Sequence, residues 1–145
     1  MLFFKKVINS NIDWDSISIL ATDDRVVSLN SADSNTGMIQ RELLDKIKSK
    51  SKPKLNALYP QNKKHINEKL DVIEKYLRKD KPAIALLGIG SDGHTAGIFK
   101  ENPNSPYCYF LKNEFDSYYR VTISMKYLLD IPYLIFFVFG SEKKK

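Results

Sequence analysis

Apolar residues recur along this chain with two periods, and those periods predict its elements. Ile66, Leu70, Ile73 and Leu77 fall at i, i+4, i+7 and i+11, one face of an amphipathic helix that opens at Asn62. Ile39, Leu43, Leu44 and Ile47 mark a second helical face. Ser34 or Asn35 caps it, and the lysine-rich stretch 46–54 ends it, with Pro53 as breaker. A shorter helical pattern, Leu2, Phe3, Val7 and Ile8, is interrupted by Lys5 and Lys6 and stops at Asn9-Ser10-Asn11. Residues 17–21 and 120–124 alternate, as strands do. Residues 83–87, behind Pro82, and 133–139 are continuous apolar runs. The second is rich in aromatic and β-branched side chains and is expected to be central and buried on both faces. Residues 107–110 read as a short strand, 125–129 as a short helix or turn and 100–106 as a loop. Strands alternating with helices predict an α/β fold: a Rossmann-like, mostly parallel sheet with helices on both faces, in a single domain over residues 1–145.

Composition narrows the class. The chain has 145 residues and is 43% hydrophobic, enough for one domain with a core and too apolar for a disordered segment. Its single cysteine, Cys108, forms no intrachain disulfide, which suits a reducing compartment. No apolar run reaches membrane-spanning length, and residues 1–8 carry no cleavage-site pattern, so a cytoplasmic protein is expected. The net charge of +6 fits an anionic partner. Only four of the 23 basic residues are arginine, and the lysines are scattered, a poor match to nucleic-acid binding.

The chemistry concentrates in Gly88-Ile89-Gly90-Ser91-Asp92-Gly93-His94-Thr95-Ala96-Gly97-Ile98-Phe99. The strand at 83–87 runs into a glycine-rich turn that displays Asp92 and His94 at a strand's carboxyl end, where open α/β sheets bind ligands. Residues 95–99 look like the start of a helix, whose N-terminus would offer free N–H groups to an anion. The spacing is not that of a dinucleotide fingerprint, because the third glycine falls too early. Upstream, Asp23-Asp24-Arg25 crowds the end of the strand at 17–21, followed by Asp33-Ser34-Asn35 and Gly37. Downstream, Gly140-Ser141-Glu142-Lys143 follows the last apolar run. Asp23, His94 and Lys143 thus all fall just past strand ends, along one edge of a parallel sheet.

Taken in order, these strings resemble the signatures of the 6-phosphogluconolactonase family, part of a wider group with glucosamine-6-phosphate deaminase. The glycine–histidine string matches one signature, Asp23-Asp24-Arg25 with Asp33-Ser34-Asn35 a second, and Gly140 to Lys143 a third, with Arg120 where the family has an arginine opening a strand. The resemblance implies one shared pocket. It also implies a partial domain: the family's first strand and its serine/glycine-rich phosphate loop would precede Leu2, and a further helix would follow Lys143. On that expectation the chain is a fragment of a longer gene product, a degraded copy, or a protein whose missing elements are covered by self-association or by a partner chain.

The implied reaction is hydrolysis of 6-phospho-D-glucono-1,5-lactone, a small phosphosugar lactone. Water attacks the C1 carbonyl and the ring oxygen leaves. His94 is the implied general base, a residue type that titrates near neutral pH, with Asp92 orienting it or the water. Backbone N–H groups about Gly90 and Gly93 are candidate donors to the carbonyl oxygen. Arg25 and Lys143 are candidate partners of the phosphate, with Arg120 as a further cation and Asp23 and Asn35 completing the substrate-binding set. No cofactor is implied, and the histidine and cysteine spacings match no metal-ligand set. Nucleic-acid and membrane partners are not expected. In the deaminase branch, an aspartate at the position of Asp23 moves a proton between sugar carbons and an acidic residue follows the histidine. None of residues 95–99 is acidic, which favours the lactonase. A non-catalytic remnant or subunit of the same fold is the third alternative.

Overall fold

The computed structural model describes residues 2–58, 66–100, 104–112 and 117–138. Among the described residues, four α-helices, α1 (Leu2–Ile8), α2 (Asn35–Glu42), α3 (Ile66–Lys79) and α4 (Met125–Leu129), are interspersed with seven short strands. These are β1 (Ser18–Leu20), β2 (Asp23–Arg25), β3 (Lys54–Asn56), β4 (Ile84–Gly88), β5 (Cys108–Lys112), β6 (Tyr119–Ile123) and β7 (Tyr133–Phe137). β1 pairs with β3, and β4 with β7, both in parallel; β2, β6 and β5 form an antiparallel trio.

The helical stripes do what their spacing demands. Ile73 and Leu77 of α3 are buried in the main core with Leu87, Val121, Ile123, Tyr127 and Leu128. The Tyr127 hydroxyl donates to the Leu77 carbonyl at 3.1 Å, satisfying a group near the open end of α3. The expected start of this helix at Asn62 lies outside the described residues. Ser34 is the N-cap of α2, its hydroxyl accepting from the Gly37 N–H at 2.9 Å. Leu43, Leu44 and Ile47 follow that helix into a second cluster around Trp14. Cys108 is buried, and desolvation pushes its thiol up to about 12, so it behaves as a small apolar side chain.

Three expectations are corrected. Residues 95–99 do not begin a helix; Thr95 and Ile98 form an isolated antiparallel bridge closed by the Ile98 N–H to the Thr95 carbonyl at 3.0 Å. Ala96 takes φ 50°, which ends any helical course there. Asp23 does not lie past a strand end on the edge of a parallel sheet, because Asp23–Arg25 themselves form β2 in an antiparallel ladder with β6. And β7 is not buried on both faces. Ile84 faces Tyr133 and Leu86 faces Ile135 on one side of the β4–β7 pair, and all four are exposed, Tyr133 at 66%. Ala85 and Leu87, pointing the other way along β4, enter the core. The end of the apolar run at Phe139 lies outside the described residues.

Candidate active site

β4 enters the site from the core and stops at Gly88, whose carbonyl accepts the Thr95 hydroxyl at 2.9 Å. Between those residues the chain makes a closed turn. The Gly90 N–H donates to the His94 carbonyl at 2.8 Å and the Gly93 N–H to the Gly90 carbonyl at 3.2 Å, with Gly93 at φ +88°. Only glycine fits at 90, because a Cβ there would run into the His94 ring and lie 2.7 Å from Asp92 Oδ1. That space lets the imidazole fold back over the turn. His94 Nδ1 lies 2.5 Å from Asp92 Oδ1, which also accepts from the His94 N–H at 3.3 Å. The hydrogen bond from His94 holds the Asp92 carboxyl below its ordinary value. Phe99 packs against the other side of the ring, centroids 4.5 Å apart. The Gly90 and Gly93 amides close the turn itself.

The second half of the site is the β2–β6 ribbon. Antiparallel register sets Asp23 opposite Thr122 and Arg25 opposite Arg120, so these four share one face, while Asp24 takes the other. Asp23 accepts from Arg120 Nη1 at 3.1 Å and from Asn35 Nδ2 at 3.2 Å; both ends of the ion pair are nearly buried. Burial pushes the Asp23 carboxyl above its ordinary value, and the Arg120 guanidinium offsets this only in part. Asp24, 2% exposed, is a structural anchor: its carboxylate accepts from the N–H groups of Arg25, Asn35 and Thr36 at 2.7–3.0 Å. The adjacent acidic residues therefore have separate tasks, one on each face of the strand.

A cleft of about 270 Å³ opens between the two halves, with Asp23, Gly90 and His94 on its walls beside Thr22, Gly88 and Ala96. The structure thus joins Asp23 and His94 across one cavity, with Asp92 behind the imidazole and Asn35 and Arg120 behind the aspartate. Arg25 is held elsewhere. Its Nη1 donates to the Asp33 carbonyl at 3.0 Å and its guanidinium lies over the Tyr118 ring, whose hydroxyl donates to Asp33 Oδ2 at 2.7 Å. Lys143 lies outside the described residues. Thr122 is a site residue that no motif singles out. Its Oγ1 accepts from the Gly97 N–H at 3.0 Å, joining the turn to the ribbon. The alternation of residues 120–124 does carry the signal, since it sets Thr122 on the face of Arg120. Among the described residues no group of His, Cys, Asp and Glu is placed to hold a metal, and no helix is long and apolar enough to cross a membrane.

Comparison with known proteins gives a consistent result. Residues 2–145 match the model of the family "Glucosamine-6-phosphate isomerases/6-phosphogluconolactonase". The 6-phosphogluconolactonase of Neisseria meningitidis is 34% identical over 104 residues, 70% of this chain and 44% of that protein. 6-Phosphogluconolactonase 3 of Saccharomyces cerevisiae is 30% identical over 154 residues, covering 94% of this chain and 59% of its own length. The chain therefore spans about half the length of the curated relatives it matches. The crystal structure of 6-phosphogluconolactonase from Thermotoga maritima superposes with a TM-score of 0.84 at 26% identity, over 97% of this chain and 65% of that one.

Proposed function

This chain belongs to the family of glucosamine-6-phosphate isomerases and 6-phosphogluconolactonases, and from that membership we propose that its site hydrolyses 6-phospho-D-glucono-1,5-lactone to 6-phosphogluconate, the ring-opening step of the oxidative pentose phosphate pathway. The observation that carries this reading is the disposition of His94. Its Nδ1 is committed to Asp92, which leaves Nε2 as the ring nitrogen able to take a proton from water. A water molecule in the cleft loses its proton to Nε2 as its oxygen bonds to the C1 carbonyl carbon. The tetrahedral species collapses, the C1–ring oxygen bond breaks, and the proton on His94 passes to the departing ring oxygen. Asp92 keeps the imidazole in the Nδ1–H form and balances its charge while it is protonated.

Asp23, with Asn35 and Arg120 behind it, binds sugar hydroxyls on the opposite wall. Lys143 serves the phosphate, while Arg25, tied to Asp33 and Tyr118, orders the loop that leads into α2. Gly90 and Gly93 serve by letting the turn close over itself, and the reaction calls for no cofactor or metal. The isomerase branch of the family is disfavoured by residues 95–99, none of which is acidic; Phe99, not a carboxylate, packs on the imidazole. A cytoplasmic setting and a single, partial domain over residues 1–145 belong to the same reading.

The test is lactone hydrolysis by the protein and by its His94→Ala variant, each compared with spontaneous ring opening. Loss of the general base lowers the catalysed rate by about two to four powers of ten. A variant within a few-fold of the parent removes His94 from the mechanism.

A further inference from the structure

The proposed reaction needs the His94 imidazole and the Asp23 wall at a fixed separation. Yet the two belong to different hydrogen-bonded groups of strands. His94 hangs from β4, which pairs with β7, whereas Asp23 opens β2, which pairs with β6. Among the described residues no ladder joins the β4–β7 pair to the antiparallel trio. Proximity effects are lost when reacting groups shift by about 1 Å, so a tether between the groups matters for rate as well as for fold.

Thr122 stands at that junction. It is fully buried and directly opposite Asp23 in the ribbon. Its Oγ1 accepts from the Gly97 N–H at 3.0 Å and donates to the Ile123 carbonyl at 3.0 Å, so both capacities of the hydroxyl are used. Gly97 comes close enough that a Cβ there would lie 2.9 Å from Thr122 Cβ and 3.5 Å from Asp23 Cβ. From the other side, Phe99 packs on His94 and lies under the Arg120 guanidinium that holds Asp23. We infer that Thr122 is a positioning residue: its hydroxyl ties the glycine turn to β6 and so sets the distance between His94 and Asp23 across the cleft. The kinetic consequence rests on the lactonase reading; the tether rests on the geometry alone.

Three variants and one exchange measurement test it. Thr122→Val keeps the shape and removes the hydroxyl. Its kcat falls about tenfold to a hundredfold with KM within about threefold, because the base is intact but displaced. The shape of the pH profile is unchanged, since the Asp92–His94 pair lies wholly within the turn. Thr122→Ser, which restores the hydroxyl, returns kcat to within about threefold of the parent. Gly97→Ala, which forces the turn off β6, reproduces the valine defect. In hydrogen exchange the Gly97 amide is protected in the parent and exchanges faster in Thr122→Val, while the amides of α3 are unchanged. A folded valine variant with parental kcat, a serine variant as impaired as valine, or an unprotected Gly97 amide in the parent overturns the inference. If the valine variant does not melt cooperatively, the serine variant and the parental Gly97 exchange decide the matter. A parent that does not hydrolyse the lactone overturns the functional reading instead, and Gly97 exchange still judges the tether.

Discussion

Replacing Asp24 separates structure from chemistry in the acidic pair. Its carboxylate, 2% exposed, accepts three backbone N–H groups: Arg25 at 2.8 Å, Asn35 at 2.7 Å and Thr36 at 3.0 Å. Two of these lie in the first turn of α2, where no carbonyl of the helix can reach them. In Asp24→Ala all three lose their partner. Thr36 is buried, so its N–H is left without water at a cost of about 1–3 kcal/mol. The Arg25 and Asn35 groups are half-buried and recover part of their loss from solvent. The favourable charge–dipole contact at the N-terminus of α2 also goes, worth about 0.3–1 kcal/mol. The total is about 2–5 kcal/mol, a large share of the roughly 5–15 kcal/mol that holds a domain folded. For a chain of this length it lowers Tm on the order of 10 °C. Urea unfolding followed by circular dichroism measures it, with activity per folded molecule recorded beside it. A loss under about 1 kcal/mol refutes the assignment of Asp24 as the anchor of α2. So does a variant of parental stability that has lost activity, since Asp24 would then belong to the chemistry.

Two further outcomes follow from the geometry. Gly90→Ala drives a methyl group into the space of the His94 ring, so turnover falls on the order of a hundredfold while the urea midpoint moves little; near-parental turnover means that the imidazole does not fold back over Gly90 in solution. The Asp23 carboxyl, raised by burial and opposed by Arg120, titrates above the ordinary aspartate value in a carbon-detected NMR titration, and higher still in Arg120→Met. The sign for stability is that of a raised acid: the contribution of Asp23 is fully present below the ordinary aspartate value and is lost as pH rises through its raised midpoint. A midpoint at or below the ordinary value contradicts the dominance of burial at this carboxyl.

Two helices and the site motif were legible from local sequence alone. The stripe Ile66, Leu70, Ile73 and Leu77 and the cap at Ser34 are local matters of period and side-chain reach, so α3 and α2 were legible. The string from Gly88 to Phe99 also encodes its own closure: its glycines make room for the Asp92–His94 pair, and the ring of Phe99 completes it. Tertiary structure decided what depends on residues distant in sequence. β2 is three charged residues with no strand propensity and exists because β6, almost a hundred residues later, offers it a ladder. The same pairing gave Asp24 to the anchoring of α2 and Asp23 to the cleft, a division that two adjacent aspartates cannot reveal. It overruled the helix expected at 95–99, because Gly97 bonds to Thr122 instead of continuing the turn. And it left Tyr133 and Ile135 of β7 exposed, since an apolar run states that a strand has something to bury but not which neighbours are there to bury it.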